Sequence, residues 1–277
     1  QFQKTGSFKP RGAYNRISEL AASEDADDIE QVVAASAGNH AQGVAYAATE
    51  RGMESLIFMP ETAPQAKIDA TEGYGATVEL RGETFAEAMA AAQARADDPG
   101  NAFVHAYDDP DVIAGQGTLG LELLEQVPDV DTVVVPIGGG GLISGVATAM
   151  LAADHDVRVV GVQAEDAATA PQSLRKGEPV ENEDPNTIAD GIATGSLSDR
   201  TFEIIEERVD EVVTVDDTEI ANATLWLLER TKQLVEGAAA TSVAPLLSGD
   251  LDVDGTVVPL LCGGNIDIAT LQDVLTR

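Results

Sequence analysis

Eight short β-branched or apolar runs, each separated from the next by a stretch of helical spacing, constrain this chain's fold more than any other feature. They fall at 31–35, 55–59, 76–80, 102–106, 131–137, 157–163, 211–215 and 256–262. Strands that alternate with helices pair in parallel through right-handed crossovers, so the pattern predicts an α/β chain with ligand sites at the carboxyl ends of strands. The clearest helix is predicted over 217–236, where Ile220, Ala223, Thr224, Leu227, Leu228, Thr231, Leu234 and Val235 recur at helical spacing. Asp216 with Glu219 three residues on reads as its capping box, and Gly237 as its end. A second helix is expected over 40–51, stopped by Gly52, and a third from about Gly12. No internal repeat or low-complexity linker is visible.

Charge then narrows the function classes. The 48 Asp and Glu against 16 Lys and Arg leave a formal charge of −32. Nucleic-acid binding needs a basic face that displaces counterions, and anionic membranes recruit polybasic segments; neither exists here. A 44% hydrophobic content over 277 residues is that of a globular chain, not of a disordered acidic one. With no apolar run of bilayer length and no leader pattern, a cytoplasmic protein is expected. Cys262 is the single cysteine, in keeping with a reducing compartment. The acid groups are spread along the chain, and lysine occurs only at 4, 9, 67, 176 and 232. We read this as adaptation to concentrated salt, where a Debye length of about 3 Å at 1 M relieves self-repulsion.

Three stretches carry chemistry. In Thr5-Gly6-Ser7-Phe8-Lys9-Pro10-Arg11-Gly12-Ala13, a lysine lies in a turn opening toward a helix. Such a lysine is either a nucleophilic amine tuned by burial or an ordinary surface charge. In the second stretch, 32–43, a strand runs into Ser36-Ala37-Gly38-Asn39-His40 and then a helix. The amides at that helix start suit a carboxylate, and Asn39 suits a phenolic oxygen; alternatively Asn39 simply caps the helix. The third places Gly138-Gly139-Gly140-Gly141-Leu142 between a buried strand and a helix. Four glycines there clear side chains from amides that can hold a phosphate. No Lys-Ser/Thr follows, so a P-loop is excluded. A dinucleotide fingerprint is nearer, with Gly139, Gly141, Ser144 and Glu165, but it explains only this one stretch.

Taken together, the three stretches in this order and spacing resemble the pyridoxal-phosphate enzymes of fold type II, within them the threonine dehydratase (threonine ammonia-lyase) and serine racemase family. The likeness continues through Gly115-Gln116-Gly117-Thr118, Gly161-Val162-Gln163-Ala164-Glu165, Ala189-Asp190-Gly191-Ile192-Ala193 and Cys262-Gly263-Gly264-Asn265. It implies two open α/β domains of the tryptophan synthase beta type with pyridoxal 5'-phosphate between them, and a missing N-terminal segment ahead of the lysine. The large domain would comprise 1–30 and 108–277, and the small mobile one 31–107. Lys9 would be the catalytic Schiff-base lysine with Phe8 against the cofactor. Gly138, Gly139, Gly140, Gly141 and Leu142 would bind its phosphate, Asn39 its O3', and Cys262 would face the pyridine nitrogen. Ser36, Ala37, Gly38 and His40 would surround the substrate carboxylate. Glu236 matches a family glutamate near the cofactor, or is a solvated helix end; Cys262 is otherwise a small buried residue.

The reaction implied is deamination of L-threonine to 2-oxobutanoate and ammonia, and of L-serine to pyruvate, in a homodimer or homotetramer. A serine dehydratase or racemase is the nearest alternative; a nicotinamide oxidoreductase or an idle metabolite-binding protein stands further off. Ala37 replaces the serine with which a racemase reprotonates the α-carbon. The racemase's divalent-metal ligands map onto Gln163, Ala167 and Thr169, so no such metal site is expected.

Overall fold

The structure, a computed structural model, describes residues 1–24, 26–152 and 156–277. Two compact units divide the chain, Gln3–Gly115 and Gln116–Arg277, the latter with Gln1–Phe2. In the first unit the elements run α1 (Pro10–Ala22), β1 (Gln31–Ala35), α2 (Asn39–Arg51), β2 (Glu54–Met59), α3 (Gln65–Gly73), β3 (Thr77–Leu80), α4 (Phe85–Ala96) and β4 (Asn101–Phe103). The chain passes to the second unit within α5 (Pro110–Gln126). There follow β5 (Thr132–Pro136), α6 (Gly141–Ala152), β6 (Arg158–Ala164), α7 (Ala170–Lys176), α8 (Asp199–Arg208), β7 (Glu211–Val215), α9 (Asp217–Thr231), α10 (Gly237–Ala240), α11 (Ala244–Ser248), β8 (Val257–Pro259) and α12 (Ile268–Thr276).

Each unit carries a four-stranded, wholly parallel sheet, ordered β3-β2-β1-β4 in one and β7-β6-β5-β8 in the other. The orders are equivalent: three strands progress one way, and the fourth returns to the opposite side of the first. This shared topology has no counterpart as a sequence repeat. Its consequence is a switch point beside the first strand of each sheet, between β1 and β4 and between β5 and β8, where diverging connections leave a crevice at the carboxyl ends. The central strands are buried on both faces, as the unbroken runs at Val32–Ala35 and Val133–Val135 require. Residues alternate: Val32 and Ala34 pack with Ala13, Ile17 and Val44, while Val33 and Ala35 pack with Ala88 and Ala92.

All eight predicted strands are present, and two of them end early at the switch points. The run 102–106 yields a strand only to Phe103, and 256–262 only to Pro259. The ladder continues for one bond each, Val104 N to Val33 O at 2.9 Å and Leu260 N to Val134 O at 2.9 Å. Side chains then take over: His40 donates to the Val104 carbonyl, and Ser242 Oγ to the Leu260 carbonyl. The helix over 217–236 is also shorter than expected. α9 stops at Lys232, which takes the left-handed conformation at φ 62°. Glu236 is extended and Gly237 opens α10, so that glycine starts a helix and does not end one. The capping box of Asp216 and Glu219 forms as expected, with amide to carboxylate bonds of 2.8 Å in both directions.

Candidate active site

In the first unit, Lys9 is the N-cap of α1, with Pro10 at the first helical position, a place where a missing amide costs nothing. Its Nζ donates to the carbonyl of Ala106 at 2.9 Å and lies 5.2 Å from the Phe8 ring centroid. Ala106 follows β4, so the amine sits at the β1/β4 switch point. Two glycines set its backbone there. A Cβ on Gly43 would stand 3.1 Å from the Lys9 carbonyl carbon, and one on Gly115 only 2.5 Å from the Arg11 oxygen and 2.6 Å from Gly12 Cα. Neither was legible as a site residue, although a helical glycine with no turn to make is the signal of a close approach. Arg16 adds a tie, bonding Asp109 at 3.0 Å and Asp111 at 2.9 Å, while Asp109 caps α5 through the amides of Asp111 and Val112.

The 36–40 loop leaves β1 at the same switch point. Ser36 Oγ accepts from the Gly38 amide at 3.1 Å, which folds the loop back on itself. Gly38, not Asn39, is the N-cap, without a side-chain bond, and Asn39 is the first helical residue. The amides of Asn39, His40 and Ala41 have no acceptor within the helix and form the positive end of its dipole. A Cβ on Gly38 would meet nothing within 4 Å, so the loop opens onto free space.

His40 is buried, and its ring nitrogen Nε2 lies 2.9 Å from the Val104 carbonyl. A carbonyl only accepts, so Nε2 carries the proton and Nδ1 a lone pair. Burial, reinforced by the charge of Lys9, pushes this imidazole down from 6.5 to about 3, against the opposing pull of the Val104 bond. His40 is therefore neutral at physiological pH. The unfolded chain takes up the proton near pH 6.5 and the folded one does not, so stability falls as pH drops from 6.5 toward 3, by up to about 1.4 kcal/mol per pH unit. Urea titrations of wild type and His40→Gln between pH 7 and 4 test this. The wild-type curve is expected to be the steeper by that amount; parallel curves would remove His40 from the account.

In the second unit the glycine stretch lies at the β5/β8 switch point, between the end of β5 and the start of α6. Gly138 abuts Ile192, whose Cα would be 3.1 Å from an added Cβ. Gly140 has φ +90° and would set a Cβ 2.9 Å from that of Thr201. Gly141 begins α6, whose first-turn amides lack acceptors within the helix. A cradle of backbone donors that side chains cannot enter fits a phosphate group. Leu142 and Cys262 are buried, the latter just past β8. Glu236 is buried as well, so it is no solvated helix end; its Oε2 accepts from the Asn265 amide at 3.1 Å. Gln163 Oε1 accepts from the Ala170 amide at 2.7 Å, and among the described residues no group of three His, Cys, Asp or Glu could hold a metal.

One unit presents an amine and a loop of helix-start amides at its switch point, and the other a glycine stretch whose amides side chains do not cover. Residues 1–263 match the family described as pyridoxal-phosphate dependent enzyme, and the chain belongs to that family. It is 49% identical over 276 residues to the L-threonine ammonia-lyase of Thermotoga maritima, covering 99% of this chain and 68% of that protein. Among solved structures, the processed form of threonine deaminase isoform 2 from Solanum lycopersicum superposes with a TM-score of 0.93 at 36% identity, covering 99% of this chain and 80% of that one. Maize serine racemase does so with a TM-score of 0.91 at 35% identity, covering 99% and 84%. The family's cofactor is pyridoxal 5'-phosphate, and the fold is that of fold type II.

Proposed function

We propose that this chain catalyses the deamination of L-threonine to 2-oxobutanoate and ammonia, and of L-serine to pyruvate and ammonia. One observation carries the reading: the likeness to L-threonine ammonia-lyase spans 99% of the chain. Bound pyridoxal phosphate supplies the electron sink for the α-carbon. Lys9 would hold the cofactor through Nζ, and the same amine, when free, would serve as the base that takes the substrate's α-proton. Phe8 packs beside that amine. The amides of Gly138 to Leu142 hold the phosphate, and Asn39 the cofactor's ring oxygen. Ser36, Ala37, Gly38 and His40 surround the substrate carboxylate, with the neutral His40 adding no charge of its own. Cys262 would face the ring nitrogen with a thiol, a weaker donor than a protonated carboxyl, a setting that would favour elimination over transamination.

Loss of the α-proton and β-hydroxyl removes one water, and hydrolysis of the released enamine returns one. Ala37 offers no hydroxyl for proton return on the opposite face, which separates this chain from racemases. Steady-state kinetics on both amino acids, with chiral analysis of the products, tests the assignment. Turnover of L-threonine with D-amino acids below detection is expected; racemisation of serine without deamination would overturn it.

The same proposal takes 31–107 as a small mobile domain and 1–30 with 108–277 as the large one, a division by motion that differs from the compact units Gln3–Gly115 and Gln116–Arg277 described above, in a cytoplasmic homodimer or homotetramer that binds neither nucleic acid nor membrane. Among the described residues no helix is long and apolar enough to cross a membrane. The charge of −32 supports adaptation to salt. Thermal melts in rising KCl are expected to show a steep gain in Tm as the Debye length falls to about 3 Å at 1 M; indifference to salt would sink this part.

A further inference from the structure

Asp217, the first residue of α9, makes bonds that capping does not require. Asp216 already caps the helix. The Asp217 carboxylate turns instead to the segment ahead of the Ala189–Ile192 turn. Its Oδ1 accepts from Thr187 Oγ1 at 2.5 Å, and both oxygens lie 3.2 Å from the Ile188 amide. Thr187 Oγ1 passes the tie on, accepting from the Ala189 amide at 3.1 Å. Arg277 approaches from α12, 3.5 Å from Oδ2.

What this segment supports is the glycine cradle. Beyond Ile188 the chain makes one 3₁₀ turn, Asp190–Ile192, closed by the Ile192 amide on the Ala189 carbonyl at 2.9 Å. The turn has no slack on either side. A Cβ on Gly237 would lie 2.9 Å from the Ile188 carbonyl oxygen, one on Gly191 lies 3.1 Å from Ala238 Cβ, and one on Gly138 lies 3.1 Å from Ile192 Cα. Backbone packed this closely moves as a body. A shift at Ile188 is therefore delivered to Gly138, where the phosphate cradle begins.

We infer that Asp217 is a positioning residue for cofactor phosphate: through Thr187 and Ile188 it fixes the 187–192 segment that backs Gly138, and so sets the cradle's amides. The inference rests on the reading of that cradle as the phosphate site. It predicts a loss specific to the phosphate group, which a general loss of stability does not produce. Dissociation constants of pyridoxal phosphate and of pyridoxal, which lacks the phosphate, are measured by absorbance titration on wild type, Asp217→Ala, Asp217→Asn and Thr187→Val. Thr187→Val leaves α9 and its cap untouched, so it reports even where Asp217→Ala folds poorly.

Asp217→Ala and Thr187→Val are expected to weaken pyridoxal phosphate by about tenfold to a hundredfold, the range for bonds to a charged group, and pyridoxal by less than about twofold. Asp217→Asn, which keeps one acceptor oxygen, is expected to fall between wild type and Asp217→Ala. Equal weakening of both ligands, or unchanged affinity for both in Thr187→Val, would overturn the inference and leave the functional reading standing. A wild-type protein with no preference for pyridoxal phosphate over pyridoxal would overturn the cradle itself, and the inference with it.

Discussion

Replacing Lys9 with alanine is expected to lower turnover of L-threonine by at least about 10² to 10⁴-fold, the contribution of a positioned general base, and to abolish exchange of the substrate α-proton with solvent. The expectation follows from position. Nζ is fixed by the Ala106 carbonyl at 2.9 Å, at the β1/β4 switch point where the 36–40 loop also emerges. Two histidines lie on that side: His40 has Nε2–H committed to Val104 and its pKa lowered to about 3, and His105, whose Nδ1 accepts from the Tyr107 and Asp108 amides, is held below its ordinary value chiefly by burial, so neither is a ready substitute. Exchange of the α-proton in deuterated buffer isolates this step from the later loss of the hydroxyl. Near-native exchange in Lys9→Ala would remove Lys9 from the chemistry while leaving the fold untouched.

Gly115→Ala is expected to lower kcat about a hundredfold, through the same amine. The added methyl would lie 2.5 Å from the Arg11 oxygen and 2.6 Å from Gly12 Cα. Both are backbone atoms of the helix that Lys9 caps, so neither can swing aside as a side chain would. The helix must shift, and a misplacement of about 1 Å at a reacting group costs on the order of 10² in rate. Overpacking adds about 1–3 kcal/mol of instability, which urea unfolding would register. Gly73→Ala is the matched control, because nothing lies within 4 Å of a Cβ there. Native kcat in Gly115→Ala would mean that α1 is free to move without consequence for Lys9.

The strands were legible in the sequence because burial on both faces of a central parallel strand leaves continuous apolar runs, as at Val133–Val135 and Val32–Ala35. Caps were legible where they are local, as with Asp216 and Glu219. The end of α9 was not: Leu234 and Val235 keep the helical spacing, but Val235 is buried after the chain has turned at Lys232. Nor was the role of Gly115, or of Ile192 behind Gly138, since close backbone approaches arise between segments far apart in sequence. The common strand order of the two sheets was equally hidden. It is a property of pairing, not of composition, yet it explains why Lys9, the 36–40 loop, the glycine stretch and Cys262 all fall at carboxyl ends beside a first strand. The acidity, by contrast, is a surface property: the two anion seats proposed above are made of backbone amides, so no cluster of Lys or Arg is needed at either.

Borohydride reduction of the protein loaded with pyridoxal phosphate, followed by proteolysis and peptide mapping, tests the central claim most directly. A pyridoxyl group on the peptide containing Lys9, absent from the Lys9→Ala protein, is the predicted result. A label on another lysine, or none on cofactor-loaded wild type, would contradict it.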